Sequence, residues 1–186
     1  MKPRLDPTIA TARLLLRLPR GEDVDDIVAG IGDPAVARML ARVPLPYRRT
    51  DGEAFIASAR QSAQAGTALC LSIVHGAHVI GGLAIDSLPQ PCEFGYWLGR
   101  RWWGRGFATE AGAAALAYGF DVLGLRLIRS GVYTENRASL RVQRKLGFSA
   151  VGRSMRRSLA RGSAVPHIDT VLTRARFQAS EPFVAR

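Results

Sequence analysis

Lysine is almost missing from this chain: Lys2 and Lys145 are its only lysines, so arginine supplies nearly all of the 26 basic residues. The arginines are scattered from end to end, which suits a surface meeting an acidic partner better than one dedicated DNA-reading helix. Nucleic acid as the main ligand therefore has charge behind it but no motif. Cysteine is equally scarce; Cys70 and Cys92 lie far apart in apolar, strand-like runs, without metal-ligand spacing, and read as buried thiols. Three histidines are present, and no third ligand or nucleophile stands at the spacing a zinc site or a catalytic triad needs. His75 and His78 flank a turn and read as exposed, whereas His167 opens a late strand where it can border a substrate pocket. No apolar run approaches the roughly 18 to 20 residues that span a bilayer, which excludes a membrane helix. The opening Met-Lys-Pro-Arg-Leu-Asp-Pro shows no apolar leader with a cleavage site, so the cytoplasm is the expected location.

What is present fits one globular domain. The 186 residues are 47% hydrophobic and 22% charged with a formal charge of +11, enough for one core and too short for two. The domain is expected over residues 1–177, with residues 178–186 as a C-terminal tail. Residues 11–18 (TARLLLRL) read as a strand, followed by an acidic helix to about Ile31 and a second helix opened by Asp33-Pro34. Thr50-Asp51-Gly52-Glu53 fits a capping box for a third helix ending at Gly66. Residues 68–74, 79–85 and 92–98 read as three strands, the first two joined as a hairpin. A long alanine-rich helix follows Gly106 and stops at Gly124; then come a strand over 125–133, a helix from Asn136 to Leu146, and a final hairpin over 150–159 and 165–175. This order describes an α/β fold whose mixed, mostly antiparallel sheet has about seven strands.

The most informative stretch is Arg101-Trp102-Trp103-Gly104-Arg105-Gly106-Phe107-Ala108, between a strand and a helix. A turn there leaves backbone N–H groups unpaired beside the positive end of the helix, which suits a pyrophosphate. Glycine permits positive φ and close approach, and neighbouring arginines can add charge-assisted contacts. The plainer alternative is a tight loop and nothing more. The Walker pattern is excluded, because Phe107-Ala108 stands where Lys and Ser or Thr belong; the dinucleotide fingerprint is excluded because its third glycine is missing. Trp97, Trp102 and Trp103 read as core or cleft walls rather than base-stacking platforms.

Taken in order, Glu93-Phe94-Gly95-Tyr96-Trp97-Leu98, the R-x-x-G-x-G element Arg101 to Gly106, Ala108-Thr109-Glu110-Ala111, and Asn136-Arg137-Ala138-Ser139 leading to Lys145-Leu146-Gly147-Phe148 resemble the GNAT superfamily. The nearest branch is that of the ribosomal-protein-alanine N-acetyltransferases, and the similarity runs from about Thr11 to Phe177. The resemblance implies a splay between the fourth and fifth strands that receives the pantetheine arm of acetyl-CoA. It implies that Trp103, Gly104, Arg105, Gly106 and Ala108, with Arg101, hold the pyrophosphate. A backbone N–H near Trp97 or Leu98 would polarise the thioester carbonyl, and Asn136 would hold a pantetheine or substrate carbonyl. Glu93 on the cleft strand is the first choice for the base. The tyrosine many family members carry two residues before the helix-terminal lysine is Gln143 here, which leaves Ser139 as the candidate acid. Each has a bland alternative: an exposed carboxylate paired with arginine for Glu93, an N-cap for Asn136, a first-turn residue for Ser139, and a favourable helix-terminal charge for Glu110.

The resulting expectation is an acetyl-CoA-dependent N-acetyltransferase acting on a primary amine by direct attack in a ternary complex. An α-amine, with a reference pKa near 8 against about 10.4 for lysine, is neutral more readily and is slightly favoured as acceptor over other amines. The acceptor pocket is expected between residues 33–65 and the final hairpin, and a homodimer paired through the final strands is compatible with the pattern. The competing readings are a coenzyme A binding module with little catalysis and a basic nucleic-acid-associated protein.

Overall fold

The computed structural model describes residues 5–89 and 91–180. The strand expected over residues 11–18 forms only as β2 (Leu15–Arg17), and a further short strand, β1 (Ile9–Ala10), precedes it. Thr11 causes the break. Its hydroxyl accepts from the Leu14 amide at 3.0 Å while its own amide donates to the Leu14 carbonyl at 2.9 Å, closing a tight turn. The sheet therefore has eight strands.

Helices α1 (Val24–Ile31), α2 (Pro34–Ala37) and α3 (Arg49–Ala65) follow. Asp33 caps α2 by accepting from the Ala35 amide at 2.7 Å, and Gly66 closes α3 at φ 65°. The start of α3 departs from the expected Thr50–Glu53 box. The helix begins two residues early, so Asp51 stands over the exposed Arg48 amide and accepts from it at 2.7 Å, while Glu53 pairs with Arg49 at 3.0 Å.

The sheet is then built by β3 (Leu69–His75), β4 (His78–Asp86) and β5 (Cys92–Leu98), followed by α4 (Phe107–Asp121) and β6 (Leu127–Tyr133). Helix α5 (Arg137–Lys145), β7 (Ser149–Ser158), β8 (Ser163–Thr173) and α6 (Arg174–Ser180) complete the order. The last helix replaces the expected end of the final strand and runs into the segment read as a tail. Phe177 anchors it, buried against Phe120 with ring centroids 5.4 Å apart. Residues 181–186, the rest of the expected tail, lie outside the described residues.

Strand order is β1-β2-β3-β4-β5-β6-β8-β7, antiparallel throughout except for the β5–β6 pair. Phe94, Leu116, Phe120, Ile128 and Leu172 form the core on the face that α4 covers, and Ile27, Val36 and Ile56 form a second cluster with Val74 and Val79 under the first helices. No helix among the described residues is long and apolar enough to cross a membrane.

A buried ion pair ties β2 to the residue that precedes α1 and, through Ser72, to β3. Arg17 donates to both carboxylate oxygens of Asp23 at 2.7 and 2.8 Å, and Asp23 also accepts from the Arg20 amide at 2.9 Å and from Ser72 at 3.2 Å. Burial alone would raise the Asp23 pKa; the hydrogen bonds from Arg17, Arg20 and Ser72 outweigh it, and the net direction is down. This stabilisation is complete above the unfolded carboxylate value near 3.9 and disappears as pH falls below it through the depressed folded value. Asp23→Ala leaves Arg17 uncompensated and is expected to cost about 3 to 5 kcal/mol, read as a lowered denaturant midpoint at neutral pH.

Candidate active site

The site begins where the sheet divides. β5 and β6 pair only at Cys92 with Ile128 and Glu93 with Arg129. Beyond that point the Ser130 hydroxyl donates to the Phe94 carbonyl at 2.7 Å, replacing a strand–strand bond with a side chain. Ser130 in turn accepts from Gln143 Nε2 at 2.8 Å, and Gln143 Oε1 accepts from Thr170 at 2.8 Å. Gln143 is only 2% exposed, and this chain of bonds links β8, α5, β6 and β5 at the apex of the fork. The glutamine at the family's tyrosine position thus has its amide committed to wedging the strands apart.

Past the apex, the inner edges of β5 and β6 carry backbone groups that no strand covers. The Gly99 amide donates to the Ile80 carbonyl at 2.9 Å, which sets the antiparallel phase of the β4–β5 pair. By alternation the Trp97 amide turns toward β4, and the Tyr96 and Leu98 amides turn into the gap. Of the two residues expected to offer an N–H, Leu98 is the one whose amide faces the opening. Its carbonyl accepts from Trp103 Nε1 at 2.8 Å, closing the outer end of the gap. Trp97 packs on the opposite side against Gly30 and Gly82, where an added Cβ would stand 2.7 and 2.8 Å from its ring.

The glycine loop has the expected form. Gly104 and Gly106 take φ of 76° and 80°, and Gly106 caps α4. Thr109 and Glu110 amides both donate to the Gly106 carbonyl at 3.1 Å, whereas no described residue accepts from the amides of Gly104, Arg105, Gly106, Phe107 or Ala108. Trp103 leaves the set, because its amide donates to the Arg100 carbonyl at 3.2 Å; Phe107 joins it. Five free amides at the positive end of a 15-residue helix form a cradle for an anion, and a diphosphate fits this donor set. Arg101 and Arg105 lie over the Trp102 ring at 5.0 and 5.4 Å from its centroid. The cavity wall at this point is made by Trp103, Gly104, Gly106 and Ala108 rather than by these arginines.

Residues far away in sequence hold the loop. Glu110 accepts from the Thr11 hydroxyl at 2.7 Å, the Arg13 amide at 2.9 Å and Arg13 Nε at 2.7 Å. Burial would raise the Glu110 pKa, and these bonds from Thr11 and Arg13 turn the net direction downward. Arg13 also donates to the Arg105 carbonyl at 3.0 Å and lies 4.5 Å over the Phe107 ring. His75, expected to be an exposed turn residue, packs beneath the loop against Phe107 and Trp102, with centroids 4.8 and 5.6 Å away.

On the α5 side of the gap, the Tyr96 and Ser139 hydroxyls lie 2.8 Å apart. Burial pushes the Tyr96 phenol up to about 12, against a smaller downward pull from Ser139, so it stays protonated at neutral pH. Asn136 caps α5, its Oδ1 accepting from the Ser139 amide at 3.0 Å, which leaves its NH₂ for a ligand. Sequence reasoning assigned Tyr96 no role, although sharing a phase with Phe94 and Leu98 was a sign that it faces the helix side.

Glu93, Asn136 and Ser139 border one cavity of about 1450 Å³ with Trp97, Leu98 and the glycine loop. Its far wall comes from α2 and α3 and from β7–β8, through Val36, Phe55, Arg156 and His167, where the acceptor pocket is expected. Glu93 is held by Arg156 at 2.7 Å.

The sequence matches the family model described as an acetyltransferase (GNAT) domain over residues 13–149. It is 33% identical over 157 residues to the uncharacterized N-acetyltransferase p20 of Bacillus licheniformis, covering 78% of this chain and 84% of that protein. Among solved structures it resembles Mycobacterium smegmatis RimJ in complex with CoA-disulfide, with a TM-score of 0.86 at 22% identity, covering 100% of this chain and 97% of that one. It also resembles the ribosomal-protein-S5-alanine acetyltransferase of Vibrio fischeri, with a TM-score of 0.79 at 17% identity over 90% and 98% of the two chains. A divided sheet, a free-amide loop at its mouth and a family match across both make one assignment: the chain belongs to the GNAT family of acetyltransferases.

Proposed function

We propose that this protein transfers the acetyl group of acetyl-CoA to a primary amine by direct attack in a ternary complex. The observation that carries the reading is the set of free amides from Gly104 to Ala108 at one end of a cavity that continues between β5 and β6. Those amides hold the pyrophosphate, with Arg101 and Arg105 contributing positive potential. The inner edges of the two strands receive the pantetheine arm much as an added strand would be received, and Asn136 donates to one of its carbonyls. Acetyl-CoA supplies an activated acetyl group. The chain supplies alignment, a Leu98 amide aimed at the thioester oxygen, and a hydroxyl pair, Ser139 with Tyr96, to protonate the departing thiolate.

The acceptor enters from the opposite face, where Asp51, Asp86, Glu93 and Glu135 all border the cavity. Asp86, Glu93 and Glu135 are each paired there with an arginine (Arg42, Arg156 and Arg161), so a cationic amine competes for a carboxylate where such a pair is open to solvent. Glu93 receives the incoming ammonium: its pair with Arg156 is about half exposed and worth less than about 1 kcal/mol, so an ammonium can take the arginine's place. Glu93→Gln is expected to raise the KM for the amine about fivefold and leave acetyl-CoA affinity unchanged, measured by steady-state kinetics and calorimetry. A protein N-terminal α-amine suits the cleft, and the likeness to a ribosomal-protein-S5-alanine acetyltransferase supports it. Acetyl transfer assayed with alanine- and serine-terminated peptides, spermidine and an aminoglycoside tests the proposal. Tight acetyl-CoA binding without transfer to any of them would instead favour a binding module, and salt-sensitive RNA binding indifferent to acetyl-CoA a nucleic-acid role.

A further inference from the structure

The acceptor face of the fork contains a second polar group that acetyl transfer, as described so far, does not use. His167 on β8 is 5% exposed and borders the cavity. Its Nδ1 lies 2.9 Å from Asp169 Oδ1, an oxygen that also accepts from Ser154 at 3.0 Å. No described residue pairs with its Nε2. Ser149 Oγ is the only fully buried side-chain nitrogen or oxygen without a partner among the described residues, so Nε2 retains contact with the cavity. A carboxylate on Nδ1 puts the ring proton there and leaves the Nε2 lone pair free.

Where that lone pair lies follows from a glycine. A Cβ on Gly131 would stand 2.1 Å from His167 Cε1 and 2.8 Å from Nε2, so the ring edge rests on the bare α-carbon of β6. Continuing the Glu93–Arg129 register by two residues sets Gly95 across the gap from Gly131, and a Cβ on Gly95 would meet nothing within 4 Å. Gly131 thus makes room for the imidazole, and Gly95 leaves the face of β5 opposite it open. The Tyr96–Ser139 pair is on the other face at the same level.

We infer that His167, oriented by Asp169, is the group that takes the proton from the attacking amine. This rests on the acetyl-transfer reading above. In the step, the bound ammonium first loses one proton to solvent; the neutral amine nitrogen then bonds to the acetyl carbonyl carbon and one N–H proton passes to His167 Nε2. The carbon–sulfur bond breaks, and the thiolate takes the Ser139 hydroxyl proton, which Tyr96 relays. Solvent then removes the proton from the imidazolium and restores the one lost from the hydroxyl pair, so that amine and acetyl thioester have become amide and thiol. The groups facing His167 are Asp169 on β8, Ser154 and Arg156 on β7, and Gly131 and Tyr133 on β6; the charged ones are Asp169 and Arg156, the latter shared with Glu93. Burial would raise the Asp169 pKa; bonds from Ser154 and His167 and the nearby Arg156 outweigh it, and the net direction is down.

Two measurements test the assignment. Acetylation of an alanine-terminated peptide and of spermidine is followed against pH for wild type, His167→Gln, Asp169→Asn and Glu93→Gln. His167→Gln is expected to lower kcat about 10²-fold with acetyl-CoA affinity unchanged, and to abolish the acidic inflection of kcat. Asp169→Asn moves that inflection to lower pH, and Glu93→Gln leaves it in place. Nitrogen-15 imidazole spectra of the substrate-free protein give the second readout, showing His167 protonated at Nδ1 and bare at Nε2. A wild-type tautomer with the proton on Nε2 overturns the assignment even where a variant fails to fold. So does a folded His167→Gln variant with kcat within about threefold of wild type, or an inflection that disappears with Glu93. Absence of transfer by the wild type overturns the acetyl-transfer reading and this one with it.

Discussion

Gly106→Val is expected to weaken acetyl-CoA binding by about 10³-fold while the domain remains folded. Gly106 sits at φ 80°, where a β-branched residue is strained by about 1 to 3 kcal/mol. Relieving the strain means rotating the loop, which turns the Gly106 and Phe107 amides away from their common direction. Each charge-assisted hydrogen bond to phosphate lost in this way is worth about 1.5 to 3 kcal/mol, so the combined effect is about 4 kcal/mol. The fold tolerates the change because a Cβ at this position meets only Arg13 Nη2, at 3.4 Å, the far end of a flexible side chain. Calorimetric titration with acetyl-CoA beside a thermal unfolding curve checks both halves. Undiminished affinity would show that the diphosphate lies elsewhere.

Ser139→Ala is expected to reduce kcat by about 10²-fold, with acetyl-CoA affinity and stability little changed. The hydroxyl is 2.8 Å from the Tyr96 phenol, which burial keeps protonated up to about 12, so the pair holds both protons at neutral pH and regains from solvent the one it gives to the thiolate. Alanine keeps the backbone amide that Asn136 Oδ1 receives, and it favours the first turn of α5 at least as well as serine does. Loss of turnover in a stable protein therefore separates the catalytic role from helix capping. Tyr96→Phe should reproduce much of the loss, and the double variant should be about as slow as the slower single one, because the two hydroxyls act in series. Release of the coenzyme A thiol, followed at saturating substrates, gives kcat directly. A rate within threefold of wild type in both single variants would assign thiolate protonation to water.

The parts of the site that were legible share one property: they are local. The positive-φ glycines at 104 and 106, the Asn136 cap and the terminators at Gly66 and Gly124 each need only a few consecutive residues, and each appears where the sequence placed it. The split between β5 and β6 followed from resemblance, since nothing in either strand's own composition announces it. The turn at Thr11, where a strand is expected, and the early start of α3 were missed because a single side-chain hydrogen bond decided each.

Much of the chemistry depends on pairs separated by long stretches of chain. Thr11 and Arg13 grip Glu110 across nearly a hundred residues; Tyr96 meets Ser139 across 43; Gln143 reaches Thr170 across 27. Glu93 shows the limit of reading one strand alone, since its arginine partner comes from β7 only because β8 lies between β6 and β7.

By itself, the order of residues determined the backbone: where it turns, where helices begin, and where unpaired amides collect, because glycine, proline and capping side chains act within one turn of the chain. The folded sheet decided which polar groups share a face. Side chains on a strand alternate with a period of two, so register and strand order, both set by packing between distant segments, place Tyr96 beside Ser139 and lay His167 against Gly131.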